Sequence, residues 1–242
     1  VLRVNLDVPS WWRALYPNEL RLTPDGRRLN QSASSLVWRH EAGGELVRLI
    51  ELMAQGPFER HIIAYQLCIG PSAHGAWTSA VDYSVPAQAG FRRWLHMRYG
   101  SDEALKAAWR RSDVTRATAE LAGYEQICSS RGRASSDGPD EHVKDTLRYY
   151  TWSTVDAALW FSGLVKRSSR GRLLTGFFVD RKELARWIWS ERMIEQVLAS
   201  ADFDFVGVAT GKRDRGNARH TCSRVENVVT RHGKLWFSAS HG

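Results

Sequence analysis

Short apolar segments, each long enough for one buried strand, alternate along this chain with stretches of helical periodicity, and that alternation limits the possible folds more than any other feature. Leu2, Val4, Leu6 and Val8 recur at every second position with Arg3, Asn5 and Asp7 between them, the pattern of a strand, and Pro9 ends it. Gly43-Gly44 opens an expected amphipathic helix carrying Leu46, Leu49, Ile50 and Met53, and Gly56-Pro57 closes it before a second strand at Ile62 to Leu67. A short helix is expected from Phe91, where Phe91, Trp94 and Leu95 share a face. Ser101 then reads as an N-cap, with Asp102 and Glu103 against the positive end of a helix through Trp109. Residues 129 to 140 read as a loop, followed by a long helix from Glu141 to Lys166 with Val143, Leu147, Tyr150, Val155 and Leu159 on its inner stripe. A strand (Leu173 to Val179), a helix (Glu191 to Ala199), a strand (Phe203 to Val208) and a last strand (Lys234 to Phe237) complete the series. Buried strands separated by helices predict an α/β fold, a parallel sheet with helical cover.

Composition excludes several classes. With 242 residues, 43% of them apolar and 11% aromatic, the chain can bury a large core as one big domain or two small ones, and disorder is excluded. A formal charge of +8 would suit nucleic acid or another polyanion if the basic residues gathered on one face. They are scattered in short groups such as Arg110-Arg111, Lys166-Arg167 and Lys212-Arg213, which reads as a solvated basic surface. Cys68, Cys128 and Cys222 form no CxxC pair and no disulfide framework, which suits a reducing, cytoplasmic setting. No apolar run approaches the roughly 18 residues that cross a bilayer, so no membrane partner is expected. The amino terminus shows no signal pattern, and because Val1 stands inside a strand, material upstream of it is expected. Gly211-Lys212 lacks the upstream glycine of a phosphate-cradling loop, and His220-Thr221-Cys222 has no second pair at zinc spacing, so no cofactor and no metal are expected.

The order of residues from Ile62 to Trp109 carries a resemblance. An apolar strand is followed by the turn Gly70 to Trp77, by Asp82-Tyr83-Ser84, by Phe91-Arg92-Arg93-Trp94-Leu95, and by Tyr99-Gly100 and Leu105-Lys106-Ala107-Ala108-Trp109. This resembles the segment after the fourth barrel strand in family-42-like glycoside hydrolases of the β-galactosidase type. Val8-Pro9-Ser10-Trp11-Trp12, Tyr16-Pro17-Asn18-Glu19 and Asp25-Gly26 are similar to the family's strand-three loop, and Ser32-Ala33-Ser34-Ser35 with Trp38-Arg39 to its continuation. Ala201-Asp202-Phe203-Asp204-Phe205 resembles the start of strand six, and Glu226-Asn227-Val228 through His232-Gly233-Lys234-Leu235 the approach to strand seven. The resemblance implies a (β/α)8 TIM-barrel type of fold. A complete barrel takes about 250 residues, whereas a stretch of roughly 60 here, from Gly70 to Ser130, is spent on an excursion. Residues 1–242 are therefore expected to form a partial barrel with a helical insertion at 70–140. The first two strands and the last would be missing, and the open edges would be covered by other barrel segments or a second copy.

The chemistry departs from the family's. Retaining glycosidases hold two carboxyl groups about 5 to 5.5 Å apart, one to protonate the leaving oxygen and one to attack the anomeric carbon. The resemblance places the acid/base position at Ala76, in His74-Gly75-Ala76-Trp77, the nucleophile position at Ala239, and a family aspartate at His241. No Asp or Glu lies within Gly70 to Val81 or after Glu226, so a shift in alignment restores neither carboxylate. The expectation is a galactoside-binding domain that does not cleave: a natural pseudoenzyme, or a chain in which both glutamates were replaced. Trp11, Trp12, Trp38, Trp77 and Trp236 are the candidate sugar-stacking residues, with His74 and Glu226 as candidate polar contacts. Trp94, Trp109, Trp152 and Trp160 fall on helical stripes and read as packing, and Asp82 as a helix cap. The rival reading is a basic module for nucleic acid or another polyanion on the same scaffold.

Overall fold

The computed structural model describes residues 1–69, 81–132, 140–179, 198–210 and 226–240. The chain divides into two compact units, Val1–Pro9 with Val37–Ser79 and Thr154–Gly242, and Ser10–Leu36 with Ala80–Ser153.

The first unit is built on five parallel strands: β1 (Leu2–Asn5), β4 (Ala64–Cys68), β5 (Leu174–Val179), β6 (Phe205–Thr210) and β7 (Leu235–Ser240), in that spatial order. Register puts Val4, Leu67, Phe177, Val206 and Trp236 in one row across all five. Because side chains alternate along a strand, this row and the row of Tyr65 and Thr175 lie on one face. Tyr65, Leu67, Thr175 and Phe177 are fully buried there. The unit's helical layer comes from α2 (Leu36–Gln55), through Leu46 and Ile50, and from the second half of α6 (Glu141–Ser168), through Ala158, Phe161 and Val165. On the other face large and small residues interlock. A Cβ at Gly176 would come within 2.5 Å of the Phe205 ring, and one at Gly207 within 2.5 Å of the Phe178 ring.

Asp204 fastens the start of the sheet. Its carboxylate accepts the Thr175 amide at 2.8 Å and pairs with Lys166 at 2.5 Å, while its own amide donates to the Thr175 carbonyl. The helix α6 is released just before: Gly171, at φ +73°, donates to the Lys166 carbonyl at 2.8 Å, a left-handed cap that glycine adopts without strain.

Several expected boundaries move. The helix expected to open at Gly43-Gly44 begins at Leu36 and carries both glycines inside it. Gly43 is required there because a Cβ would sit 2.6 Å from the Trp160 ring, so close helix packing outweighs the poor helix propensity of glycine. The strands expected at 2–8, 173–179, 203–208 and 234–237 are observed as β1, β5, β6 and β7, each shifted or trimmed by one to three residues. The expected helix at Glu191 to Ala199 lies outside the described residues except for its last two, which are helical.

The second unit comprises α1 (Ser10–Leu15), the hairpin β2 (Leu20–Leu22) and β3 (Arg28–Gln31), α3 (Val85–Arg98), α4 (Asp102–Trp109), α5 (Tyr124–Gly132) and the first half of α6. Phe91, Leu95, Leu105, Trp109, Tyr149 and Tyr150 form the centre of its core. Trp94 and Trp109 pack as expected, 7% and 3% exposed. Asp145, fully buried, accepts from the Tyr99 hydroxyl at 2.6 Å, the Trp109 indole at 2.9 Å, and the guanidinium groups of Arg98 and Arg148. A buried carboxylate so completely bonded holds α3, α4 and α6 together without an uncompensated charge. Asp82 is not the cap of α3; that is Ser84, whose hydroxyl accepts from the Ala87 amide. Asp82 instead ties hairpin to helix, accepting from the amides of Leu22 and Ser84. The loop expected at 129 to 140 is helical as far as Gly132.

Candidate active site

In a parallel α/β sheet with helical cover the chemistry gathers at the carboxyl ends of the strands. Ala239 stands there, next to last in β7 and paired with Ala209 of β6. The chain leaves the same end of β4 at Cys68 and enters 70–80. Ala76, His74 and Trp77 fall in that segment and lie outside the described residues. Three strand steps separate β4 from β7, about 14 Å if the sheet were flat.

The residues of this end differ in what they offer. Phe237 is 43% exposed and meets Phe205 edge-on at 5.3 Å. Trp236, the residue singled out from sequence, lies in the row of Leu67 and Phe177 and thus on the opposite face from Phe237.

Two further tryptophans are corrected. Trp38, expected on the sugar surface, is fully buried, packs against Phe161 at 4.9 Å and donates its indole N–H to the Leu6 carbonyl at 2.9 Å. Trp12 is 3% exposed and tilts over Tyr16 at 4.9 Å. Both sit at the ends of strand-to-helix connections, where apolar bulk closes the core. Trp11, by contrast, is 63% exposed on α1, with Leu15 one helical turn along equally so. Glu226 is exposed at the first turn of the helical residues 226–231, just before β7.

At the ends of β1 and β4, Cys68 is 1% exposed and hydrogen-bonded by Arg3. Burial pushes its thiol up, an effect that Arg3 opposes and the charge of Asp7 reinforces. A thiol held protonated is a packing group rather than a nucleophile. No cluster of metal-ligating side chains occurs among the described residues.

A parallel sheet with helical cover, and with the positions of interest at or beyond its strands' carboxyl ends, defines a (β/α)-barrel type of fold, here with five parallel strands among the described residues. The profile of the β-galactosidases of glycoside hydrolase family 42 matches residues 5–210, and the chain belongs to that family. It is 28% identical over 154 residues to a β-galactosidase of Arthrobacter sp., a match covering 61% of this chain and 21% of the relative. Among solved structures it resembles the β-galactosidase of Bacillus circulans sp. alkalophilus, with TM-score 0.63, 17% identity, and coverage of 93% of this chain and 32% of that one. A β-galactosidase of the psychrophilic Marinomonas ef1 gives TM-score 0.60 and 18% identity over 87% of this chain and 30% of that one. The chain thus spans about a fifth of the curated relative and about a third of these structures. None of these likenesses supports the rival reading as a polyanion-binding module.

Proposed function

We propose that this chain is a galactoside-binding domain of the β-galactosidase family that does not cleave the sugar it holds. The observation that carries the reading is the absence of any carboxylate from the two segments where a glycosidase of this family needs one: 70–81, which continues from β4, and 227–242, which contains β7. A methyl group at position 76 can protonate no leaving oxygen, and one at position 239 can attack no anomeric carbon. Exposed aromatic side chains support binding: Phe237 on β7 and, in the other unit, Trp11 on α1, with Trp77 of the sequence segment after β4 as a further candidate. Aromatic faces take the apolar C–H side of a pyranose, and His74 and Glu226 are assigned to its hydroxyls. Trp12 and Trp38 have no part in it, because their faces are spent on the core.

Hydrolysis of an aryl galactoside tests this. The unaltered chain should give no turnover, and Ala76→Glu with Ala239→Glu should give measurable activity. With Ala76→Glu alone, azide or formate should restore part of it, the small anion standing in for the side chain at 239. Robust activity of the unaltered chain would overturn the reading. Galactoside binding should also hardly change between about 50 and 200 mM salt, a range over which polyanion binding falls steeply.

A further inference from the structure

The hairpin β2–β3 turns over Thr23-Pro24-Asp25-Gly26-Arg27, and the Asp-Gly pair at its exposed tip is chemically labile in a flexible chain. In such a pair the glycine amide nitrogen attacks the aspartate Cγ and expels water, closing a succinimide. Glycine has no side chain to hinder that approach. Water then opens the ring at either carbonyl, giving back aspartate or leaving isoaspartate, whose main chain runs through the former side-chain carbon. Ring closure needs a protonated carboxyl group, so that water is what departs, and an amide N–H free to give up its proton.

The hairpin opposes both requirements. The Asp25 carboxylate accepts from the Thr23 hydroxyl and from the Arg27 guanidinium, the latter at 2.6 Å. These two hydrogen bonds hold the carboxyl below the usual carboxylate range although the side chain is exposed, so it stays ionised at neutral pH. The Gly26 amide, meanwhile, donates to the Thr23 carbonyl at 3.0 Å. Thr23 and Arg27 are also fixed to each other across the turn: the Thr23 amide donates to the Arg27 carbonyl at 3.0 Å, and the Arg27 amide to the Thr23 hydroxyl at 3.1 Å. We propose that Asp25-Gly26 is an isoaspartate-forming site that the fold holds shut, with Thr23 and Arg27 guarding its carboxylate. Conversion would lengthen the main chain by one carbon between β2 and β3, and the pairing of Leu22 with Arg28 would be lost. The other Asp-Gly pair, Asp137-Gly138, lies outside the described residues and falls in a different tryptic peptide.

Ageing the chain for weeks at neutral pH tests this. After trypsin digestion, liquid chromatography with mass spectrometry resolves the aspartate and isoaspartate forms of the peptide Leu22–Arg27, which separate at equal mass. The reference is a free peptide of residues 20–30, too short to keep the hairpin's hydrogen bonds. It should accumulate isoaspartate at least about tenfold faster than the folded chain, and the urea-unfolded chain should convert at the peptide's rate. Arg27→Gln should raise the folded chain's rate by about two- to fivefold, the contribution of an exposed ion pair, and Thr23→Val by a similar factor. Arg27→Lys keeps the charge and should stay closer to the parent than Arg27→Gln does. A folded chain that converts as fast as the free peptide would overturn the proposal, as would Arg27→Gln and Thr23→Val chains that convert no faster than the parent. If a substitution at Arg27 acted only by loosening the hairpin, Arg27→Gln and Arg27→Lys would convert alike, and the guarding role would fail.

Discussion

A tight constraint on a single helical residue falls at Gly90, in the middle of α3. A Cβ there would lie 2.2 Å from the Tyr149 hydroxyl, which is itself bonded to the Ser34 hydroxyl at 2.6 Å. Helix propensity alone favours alanine at such a position, yet overpacking costs more than propensity returns. Gly90→Ala should therefore destabilise the chain by about 1–3 kcal/mol, read as a lower urea midpoint. Adding Tyr149→Phe should recover part of the loss, because the hydroxyl is the nearest obstacle; a purely additive double variant would refute the clash as the cause. The same scale explains which site residues could be read in advance. Ala76 and Ala239 are named from the resemblance, which rests on the order of motifs along the chain. The burial of Trp38 was not legible, because nothing in its local sequence announces that its indole bonds a carbonyl 32 residues away. Alternation along β7 sets Trp236 and Phe237 on opposite faces, a distinction that residue type alone does not make.

Among the elements, those with local signals were read well and those held by distant partners were not. Ser101 was identified as an N-cap from its neighbours, and its hydroxyl accepts from the Ala104 amide at 3.2 Å. Ser101→Ala should cost about 1 kcal/mol, measured by chemical denaturation. The hairpin β2–β3 was missed because its strands are short and partly polar, and because its anchors, the Asp82 carboxylate and the Tyr83 amide bonded to Leu22, lie some 60 residues on. The extension of α5 through 129–132 was missed because serines suggested a loop, whereas Ser129 and Ser130 bond the carbonyls of Gln126 and Ile127 one turn back. Acid should act on these elements first. Asp102 of α4 is held below the usual carboxylate range by the Arg116 backbone amide and then by its guanidinium. For Glu141 at the start of α6, burial would raise the value, but pairing with Arg148 and Lys144 outweighs it. Both carboxyls thus bind protons more readily in the unfolded chain, so the stability they contribute is complete above their unfolded values, near pH 4, and is lost as pH falls through the folded ones. The urea midpoint should fall between pH 6 and pH 3, and Asp102→Asn with Glu141→Gln should shrink that fall. An equal fall in the doubly substituted chain would locate the acid sensitivity elsewhere.

For the whole molecule, the alternation of strands and helices was enough to name the parallel sheet, since a helical crossover carries the chain back to begin the next strand in the same direction. It did not show how the sheet's flanks are closed. Among the described residues β1 pairs only with β4, and β7 only with β6, so each flank presents unpaired backbone groups. On β7 the flank is also apolar, with Leu235 47% and Phe237 43% exposed. Native edge strands are ordinarily blunted by charge, bulges or cover, and an edge without these is a template for another strand. The isolated chain should therefore self-associate, its sedimentation coefficient rising with concentration over two decades. Leu235→Lys places a charge on that flank without touching the row of Trp236 and Val206 on the other face, and should return the chain to a monomer while leaving its melting temperature nearly unchanged. If the parent chain stays monomeric over the whole range, the flank is covered within the molecule and the edge argument fails. If both chains associate alike, the contact lies on a different surface, and the exposed α1 pair Trp11 and Leu15 becomes the next position to charge.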